Sequence, residues 1–271
     1  MNLKLNSFRI ALGLLAVSVY TISCKKDETA KLSQVIDKDA TTSPRAIYSQ
    51  RWVDWNNRSD GTYTSSEAST DFGNVSGWND SRAWNSSGTC RITLLKNALS
   101  GAGGVIANID ISDGSAYELD FDVKYHSEFD WSRGGKVGFG FGIGDGKSGG
   151  NPGWDGNGGS LRLMWYNNNG RIYFHPYVYY RDQPTEYGDN FGKSYPTSGS
   201  ISRGTWYKVH MYVKSNNGSN SDGHVQIKIN GTTVLDQNIR WTTNDSKRLI
   251  RNLWFHSFRG GSQTYWQSST D

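Results

Sequence analysis

From residue 90 onward the chain alternates apolar and polar side chains with a period of two, in runs broken by Gly, Asn, Ser and Asp. The runs are "CRITLL", "AYELDFDVKYH", "KVGFGFGIG", "SLRLMWY", "RIYFHPYVYY", "TWYKVHMYVK", "HVQIKING", "TTVLDQNI" and "LIRNLWFHSF". Period-two alternation puts successive side chains on opposite faces, so each run predicts a strand with one core face. No segment holds a 3.6-residue apolar period beyond two turns, and few helices are expected. "NNNG" at 167–170 and "NG" at 230–231 supply residues that tolerate positive φ and predict hairpins. Many antiparallel strands without βα units predict an all-β fold, a two-sheet antiparallel sandwich of the β-jelly-roll kind with a concave groove.

The alternation also sorts residues into rows. In "GGKVGFGFGIGDG", residues 134–146, the core row is Val137, Phe139, Phe141 and Ile143; the opposite row is Lys136, Gly138, Gly140 and Gly142. The next run gives Ser160, Arg162 and Met164 to that open face, and the one after gives Tyr173, His175, Tyr177 and Tyr179. Consecutive strands are usually neighbours, so cations and aromatic rings are expected beside a floor of bare glycine backbone. Such a surface suits a polysaccharide: glycines permit close approach, rings cover sugar faces, and Lys and Arg pair with carboxylate or sulfate. A second basic stretch, "KRLIRNLWFHSFRGG", holds Lys247, Arg248, Arg251 and Arg259 with no acidic residue among them. It reads either as an anion-binding surface or as a charge-protected edge strand.

Composition refines this picture. The chain has 271 residues, rich in Gly (32) and aromatics and poor in Pro (5), which suits one large β domain. Net charge is +4, but residues 48–271 hold 22 basic against 21 acidic groups, so an anionic partner must be held by a local cluster and nucleic acid is not expected. The start is a basic segment (Lys4, Arg9), then an apolar stretch from Ile10 to Ile22, which reads as an export signal over 1–23. That stretch is shorter than the ~20 residues that span a bilayer. Cys24 follows as in a lipoprotein signal, although Thr21 stands where Leu is usual, and "KKDE" resembles the charged tether after such cysteines. The expected product is a monomer, secreted or held at the surface of a Gram-negative bacterium by lipid on Cys24, with a flexible tether over 24–47 and the domain over 48–271. Cys90 is left without a partner, so no disulfide framework is expected.

Several apparent motifs fail. "GDGKSGG" lacks the first glycine of a phosphate-binding loop, "DGKSGGNPGWDGNGG" has too few spaced carboxylates for an EF-hand, and no His/Cys/Glu spacing suggests zinc. No cofactor is required by any of these patterns.

The order of "GGKVGFGFGIG", "GGSLRLMWYNNNGRIYFH", "RGTWYKVHMYVK" and "FHSFRGGSQTYW" over residues 120–267 resembles the polysaccharide lyases of family 14 and their jelly-roll relatives, with ulvan lyases of family 28 as the particular match. The resemblance implies Lys136 for the family lysine, Ser160 and Arg162 for its Ser-x-Arg pair, and Tyr173 and His175 for its Tyr-x-Tyr pair, the second position departing from the pattern. It also implies a final Tyr-Phe-Asp-Asn strand that this sequence does not contain, so that the sequence is a fragment or its sheet closes differently, and it admits a structural calcium without a local signature. A uronate lyase must neutralise a carboxylate, remove the C5 proton and protonate the departing O4 oxygen. The expected roles are Lys136 as base, Tyr173 or its rival Tyr265 as acid, and His175 as a helper of the base. Arg91 and Arg162 are expected on the carboxylate, with Ser160, Tyr177, Arg251 and Arg259 as further substrate contacts. The expected function is endo-acting cleavage of ulvan, an anionic algal polysaccharide, by β-elimination. Alginate or glucuronan lyase and a non-catalytic carbohydrate-binding module are the alternatives.

Overall fold

The structure is a computed structural model and describes residues 1–11 and 49–271. In chain order the strands are β1 (Asn2–Ala11), β2 (Ser49–Arg51), β3 (Gly61–Thr62), β4 (Asn74–Ser76), β5 (Ala83–Ser86), β6 (Thr89–Ile92), β7 (Val105–Gly114), β8 (Ala116–Lys124), β9 (Gly134–Lys136), β10 (Phe139–Gly144), β11 (Gly158–Asn168), β12 (Arg171–Tyr179), β13 (Trp206–Lys214), β14 (Gly223–Ile229), β15 (Thr232–Ile239) and β16 (Ile250–Arg259). Helices α1 (Ser65–Phe72) and α2 (Ser100–Gly103) interrupt them.

Two antiparallel sheets face each other across one apolar core, as expected of a β-jelly-roll. The first runs β15-β14-β13-β8-β1-β6-β5-β3, with β2 on β1. In the second, β12 pairs β11, β11 pairs both β9 and β10, these pair β16, and β7 and β4 complete the edge. Both expected hairpins form. Asn169 and Gly170 join β11 to β12, and Asn230 and Gly231 join β14 to β15, all four with positive φ. Helix α1 carries a capping box, the Thr64 side chain accepting from the Glu67 amide while the Glu67 carboxylate accepts from the Thr64 amide.

The core rows are as the alternation predicts. Val137, Phe139, Phe141, Ile143, Leu161, Leu163, Trp165, Phe174 and Val178 are buried between the sheets. Phe139 makes edge-to-face contacts with Phe121 at 5.5 Å and Phe255 at 4.8 Å between centroids, joining both sheets.

Residues 2–11, the start of the stretch read as an export signal, lie as β1 between β8 and β6. Cys24 and the tether read over 24–47 fall outside the described residues.

Candidate active site

The functional side chains stand on the outer face of the second sheet, where four strands line them up. His175 of β12 opposes Met164 of β11, Met164 opposes Lys136 of β9, and Lys136 opposes Phe258 of β16. In the next row Arg162 opposes Tyr177. The place of Lys136 depends on a break in its strand. Lys136 and Phe141 are five positions apart, while their partners Met164 and Leu161 on β11 are three apart. The extra length bulges at Val137–Gly138, where Gly138 has φ +60. A Cβ on Gly138 would meet Phe121 and Leu3, so this glycine faces the core and not the cleft.

The other glycines correct a second expectation. They do not present bare backbone to a ligand, because neighbouring side chains cover them. A Cβ on Gly142 would come within 3.0 Å of the Trp254 indole, and one on Gly140 would lie 2.4 Å from the Leu161 carbonyl oxygen and 3.0 Å from Cγ of Arg162. Glycine in this strand makes room for the indole and the arginine stem, which form the floor themselves.

Lys136 is buried, 6% exposed. Its Nζ donates to Met164 Sδ at 3.4 Å and lies 3.6 Å from the centroid of the Tyr177 ring. Among the described residues it has no carboxylate partner. Burial first, and then the Arg162 guanidinium, hold its pKa well below the usual lysine range, which favours a neutral amine. Arg162 is equally buried; its Nε and one terminal nitrogen lack a protein hydrogen-bond partner. It sits 5.3–5.5 Å from the rings of Tyr177, Tyr179 and Trp254, whose faces partly offset its desolvation. An unpaired buried guanidinium is costly in an empty protein and fits a site built to receive an anion.

Tyr177 is held above the ordinary phenol pKa, burial being the largest cause and the Arg162 cation opposing it. It therefore keeps its proton. The chain crosses tightly above it at Gly188, where a Cβ would be 2.6 Å from the ring. His175 has Nδ1 2.7 Å from the Pro176 carbonyl oxygen, which can only accept, so Nδ1 carries the proton and Nε2 the lone pair. Burial lowers its pKa to about 4, with Lys136 adding to the shift, and it stays neutral.

His256 was not singled out from the sequence. It stands on the same face of β16, stacked on Trp254 at 4.7 Å between centroids, buried, with neither ring nitrogen hydrogen-bonded. Burial first, and then the nearby Arg162 cation, hold its pKa well below the usual range. The signal was present, since Trp254 and His256 alternate with the core residues Leu253 and Phe255.

The remaining expected residues divide. Tyr173 is on the same face but one row beyond His175, with its ring 4.3 Å from the Arg171 guanidinium, and so is not the tyrosine beside Lys136. Tyr265 is 68% exposed and rests against Trp266, outside the lysine cluster. Ser160 is buried and its hydroxyl donates to the Lys147 carbonyl at 2.7 Å, a loop tie. Arg91 is on β6 in the other sheet, opposite Trp84, and cannot share a ligand with Lys136. Arg259 faces inward at 1% exposure, donating to the carbonyls of Leu94, Leu95 and Asp130. The basic stretch is likewise occupied. Lys247 pairs with Asp145 at 2.5 Å, Arg248 with Asp245 at 3.4 Å and Arg251 with Asp113 at 3.2 Å. These acids come from outside the stretch, which is why the run looked unpaired in sequence. Among the described residues no group of three or more His, Cys, Asp or Glu is placed to hold a metal ion.

The model of the polysaccharide lyase 14 family matches residues 96–271. Among solved structures, the alginate lyase Aly36B is 68% identical with a TM-score of 0.80, over 80% of this chain and 90% of that one. Two variants of Aly36B, each 67% identical, also have TM-scores of 0.80 and cover 80% of this chain. One lacks a lysine and a tyrosine, both replaced by alanine, and holds alginate tetrasaccharide, over 90% of its chain. The other lacks a lysine and a methionine and holds alginate trisaccharide, over 91%. An alginate lyase from Aplysia kurodai shares the fold at 23% identity and a TM-score of 0.60, over 78% of this chain and 93% of its own. No curated protein matches.

Proposed function

Since the chain belongs to the polysaccharide lyase 14 family, we propose that it is an endo-acting alginate lyase in which Lys136 is the base and Tyr177 the proton donor. The observation that carries this reading is the buried Lys136 amine, set between Met164, Tyr177 and Arg162 with its pKa lowered by burial and by the Arg162 cation.

The steps follow from that arrangement. Arg162 takes the uronate carboxylate, offsetting the negative charge that would otherwise oppose loss of the C5 proton. Lys136 removes that proton; the C5–H electron pair forms the C4–C5 double bond and the C4–O4 bond breaks. Tyr177 gives its proton to the departing O4 oxygen, and the Lys136 ammonium then returns a proton to the phenolate. A lowered lysine pKa and a raised tyrosine pKa set the two groups in the protonation states these tasks need. His175 stays neutral beside them and adds no competing charge.

Alginate is preferred over ulvan for two reasons. The cations at 247–259 that suggested sulfate recognition are spent on internal partners. In addition, the lysine, tyrosine and methionine replaced in the alginate-bound variants have counterparts in type in the contacting set Lys136, Tyr177 and Met164. The test is ultraviolet absorbance of the unsaturated uronate on alginate, ulvan and polyglucuronate. A rise on alginate alone supports the reading, a rise only on ulvan overturns the substrate, and binding without a rise on any polymer makes the chain a binding module.

We also propose that residues 1–23 are removed on export and that Cys24 is acylated. The mass of the mature N-terminus tests this, since a chain that keeps β1 begins at Met1.

A further inference from the structure

Beyond the Lys136 cluster, a ladder of rings leads along the sheet to a second recess. From His175 it is 5.7 Å to the Tyr166 centroid, 5.9 Å from Tyr166 to Trp266, and 6.2 Å from Trp266 to Tyr265. The Trp266 indole is seated by glycines at both ends of the family-like motifs. A Cβ on Gly261, at φ +78, would come within 2.3 Å of the ring, and one on Gly134 within 3.3 Å of it and 3.2 Å of Met164. The same glycine therefore touches the indole and the methionine that contacts Lys136.

The ladder ends at a cavity of about 340 Å³ lined by Ser132, Arg133, Asn167, Asn169, Gly170 and Tyr265. Its frame is tied together: Asn167 Nδ2 donates to the Ser132 carbonyl at 2.9 Å, the Asn167 amide donates to the Arg133 carbonyl at 3.0 Å, and the Gly170 amide donates to Asn167 Oδ1 at 2.9 Å. The Arg133 guanidinium lies 5.0 Å from the Tyr166 centroid, and among the described residues it has no acidic partner. A cation without a counter-charge, the exposed Tyr265 ring beside the half-buried Trp266, and a cavity at the small end of the ligand-site range fit an acidic pyranose.

We infer that this recess is a distal subsite, in which Arg133 pairs with the carboxylate of a uronate remote from the cut bond and Tyr265 and Trp266 cover sugar faces. The inference rests on the lyase reading above. It gives Tyr265 a binding role in which its ring and not its hydroxyl is used.

The test compares Arg133→Ala, Tyr265→Ala and Tyr265→Phe with the wild type on alginate polymer and on size-fractionated alginate oligosaccharides. For the two alanine variants, KM on the polymer and long oligosaccharides rises about tenfold, the loss of one charge-assisted contact for Arg133 and of one covering ring for Tyr265. Their kcat holds, the shortest cleavable oligosaccharide is turned over as by the wild type, and Tyr265→Phe matches the wild type throughout. Unchanged KM on long substrates, an equal effect on short and long ones, or a fall in kcat for Tyr265→Phe would each overturn the subsite. A wild-type protein silent on alginate would remove the lyase reading instead. Retardation of the wild type in an alginate gel, compared with Arg133→Ala, then still decides the subsite, and equal retardation rejects it.

Discussion

The Nζ atom of Lys136 lies against the face of the Tyr177 ring, 3.6 Å from its centroid, in a row of side chains without a carboxylate. The pair joins an amine whose pKa burial lowers to a phenol whose pKa burial raises. Tyr177→Phe retains the ring that covers Lys136 and removes only the hydroxyl. We expect kcat to fall by about 10²- to 10⁴-fold, the usual worth of a positioned proton donor. Tyr173→Phe, two rows from Tyr177 on the same strand, should leave kcat within a few-fold of the wild type. Steady-state rates of both variants on alginate check the assignment, and the reverse order would move the donor role to Tyr173.

The pH profile follows from the same geometry. A lysine base works only when deprotonated, so kcat/KM rises as pH passes the pKa of Lys136, and the lowered pKa places that limb below the ordinary lysine range. Arg162 is the second cause of the lowering, after burial. Arg162→Met should therefore shift the limb to higher pH while raising KM through loss of the carboxylate contact. A limb that stays in place would separate Arg162 from the state of the base.

Stability should improve when function is removed. Between the lowered folded pKa and the ordinary value of 10.5, the unfolded chain binds a proton on Lys136 that the folded chain does not. Stability from this group therefore rises with pH up to about 10.5 and falls as pH drops toward the folded pKa. Lys136→Met should melt above the wild type at neutral pH, the difference narrowing as the solution becomes alkaline. A lower melting temperature for the variant at neutral pH would contradict the buried, unpaired state of the amine.

The glycines and Arg259 offer structural tests. Gly140→Ala meets a backbone carbonyl at 2.4 Å, whereas Gly142→Ala meets the Trp254 ring at 3.0 Å. Overpacking of roughly 1–3 kcal/mol is expected, larger at 140 because the ring can shift and the carbonyl cannot. Arg259→Met should cost roughly 1.5–3 kcal/mol through its lost carbonyl contacts and leave KM unchanged. Thermal melts with parallel kinetics distinguish these from effects on the site.

Much of this was legible in the sequence because strands encode their two faces directly. The rows of β11 and β12, the core row of β10 and the gathering of Lys136 with Arg162, His175 and Tyr177 all follow from period-two alternation. Strand β7 was missed although Ala107, Ile109 and Ile111 alternate with Asn108, Asp110 and Ser112, and the bulge at Gly138 was missed because alternation assumes an unbroken strand. Arg91 and Arg259 were misplaced for a related reason: which sheet a strand joins, and whether a cation turns to solvent or to buried carbonyls, depends on partners distant in sequence. The ion pairs of Lys247 and Arg251 with Asp145 and Asp113 had the same cause, and with them went the argument for sulfate.

The central claim is that Lys136 removes the C5 proton, and it is tested most directly by single-site replacement with Lys136→Met on alginate. Formation of unsaturated product, followed by ultraviolet absorbance, should fall at least 10³-fold, about the middle of the range for a positioned base. Retardation in an alginate gel should stay close to that of the wild type. An active Lys136→Met protein would contradict the account.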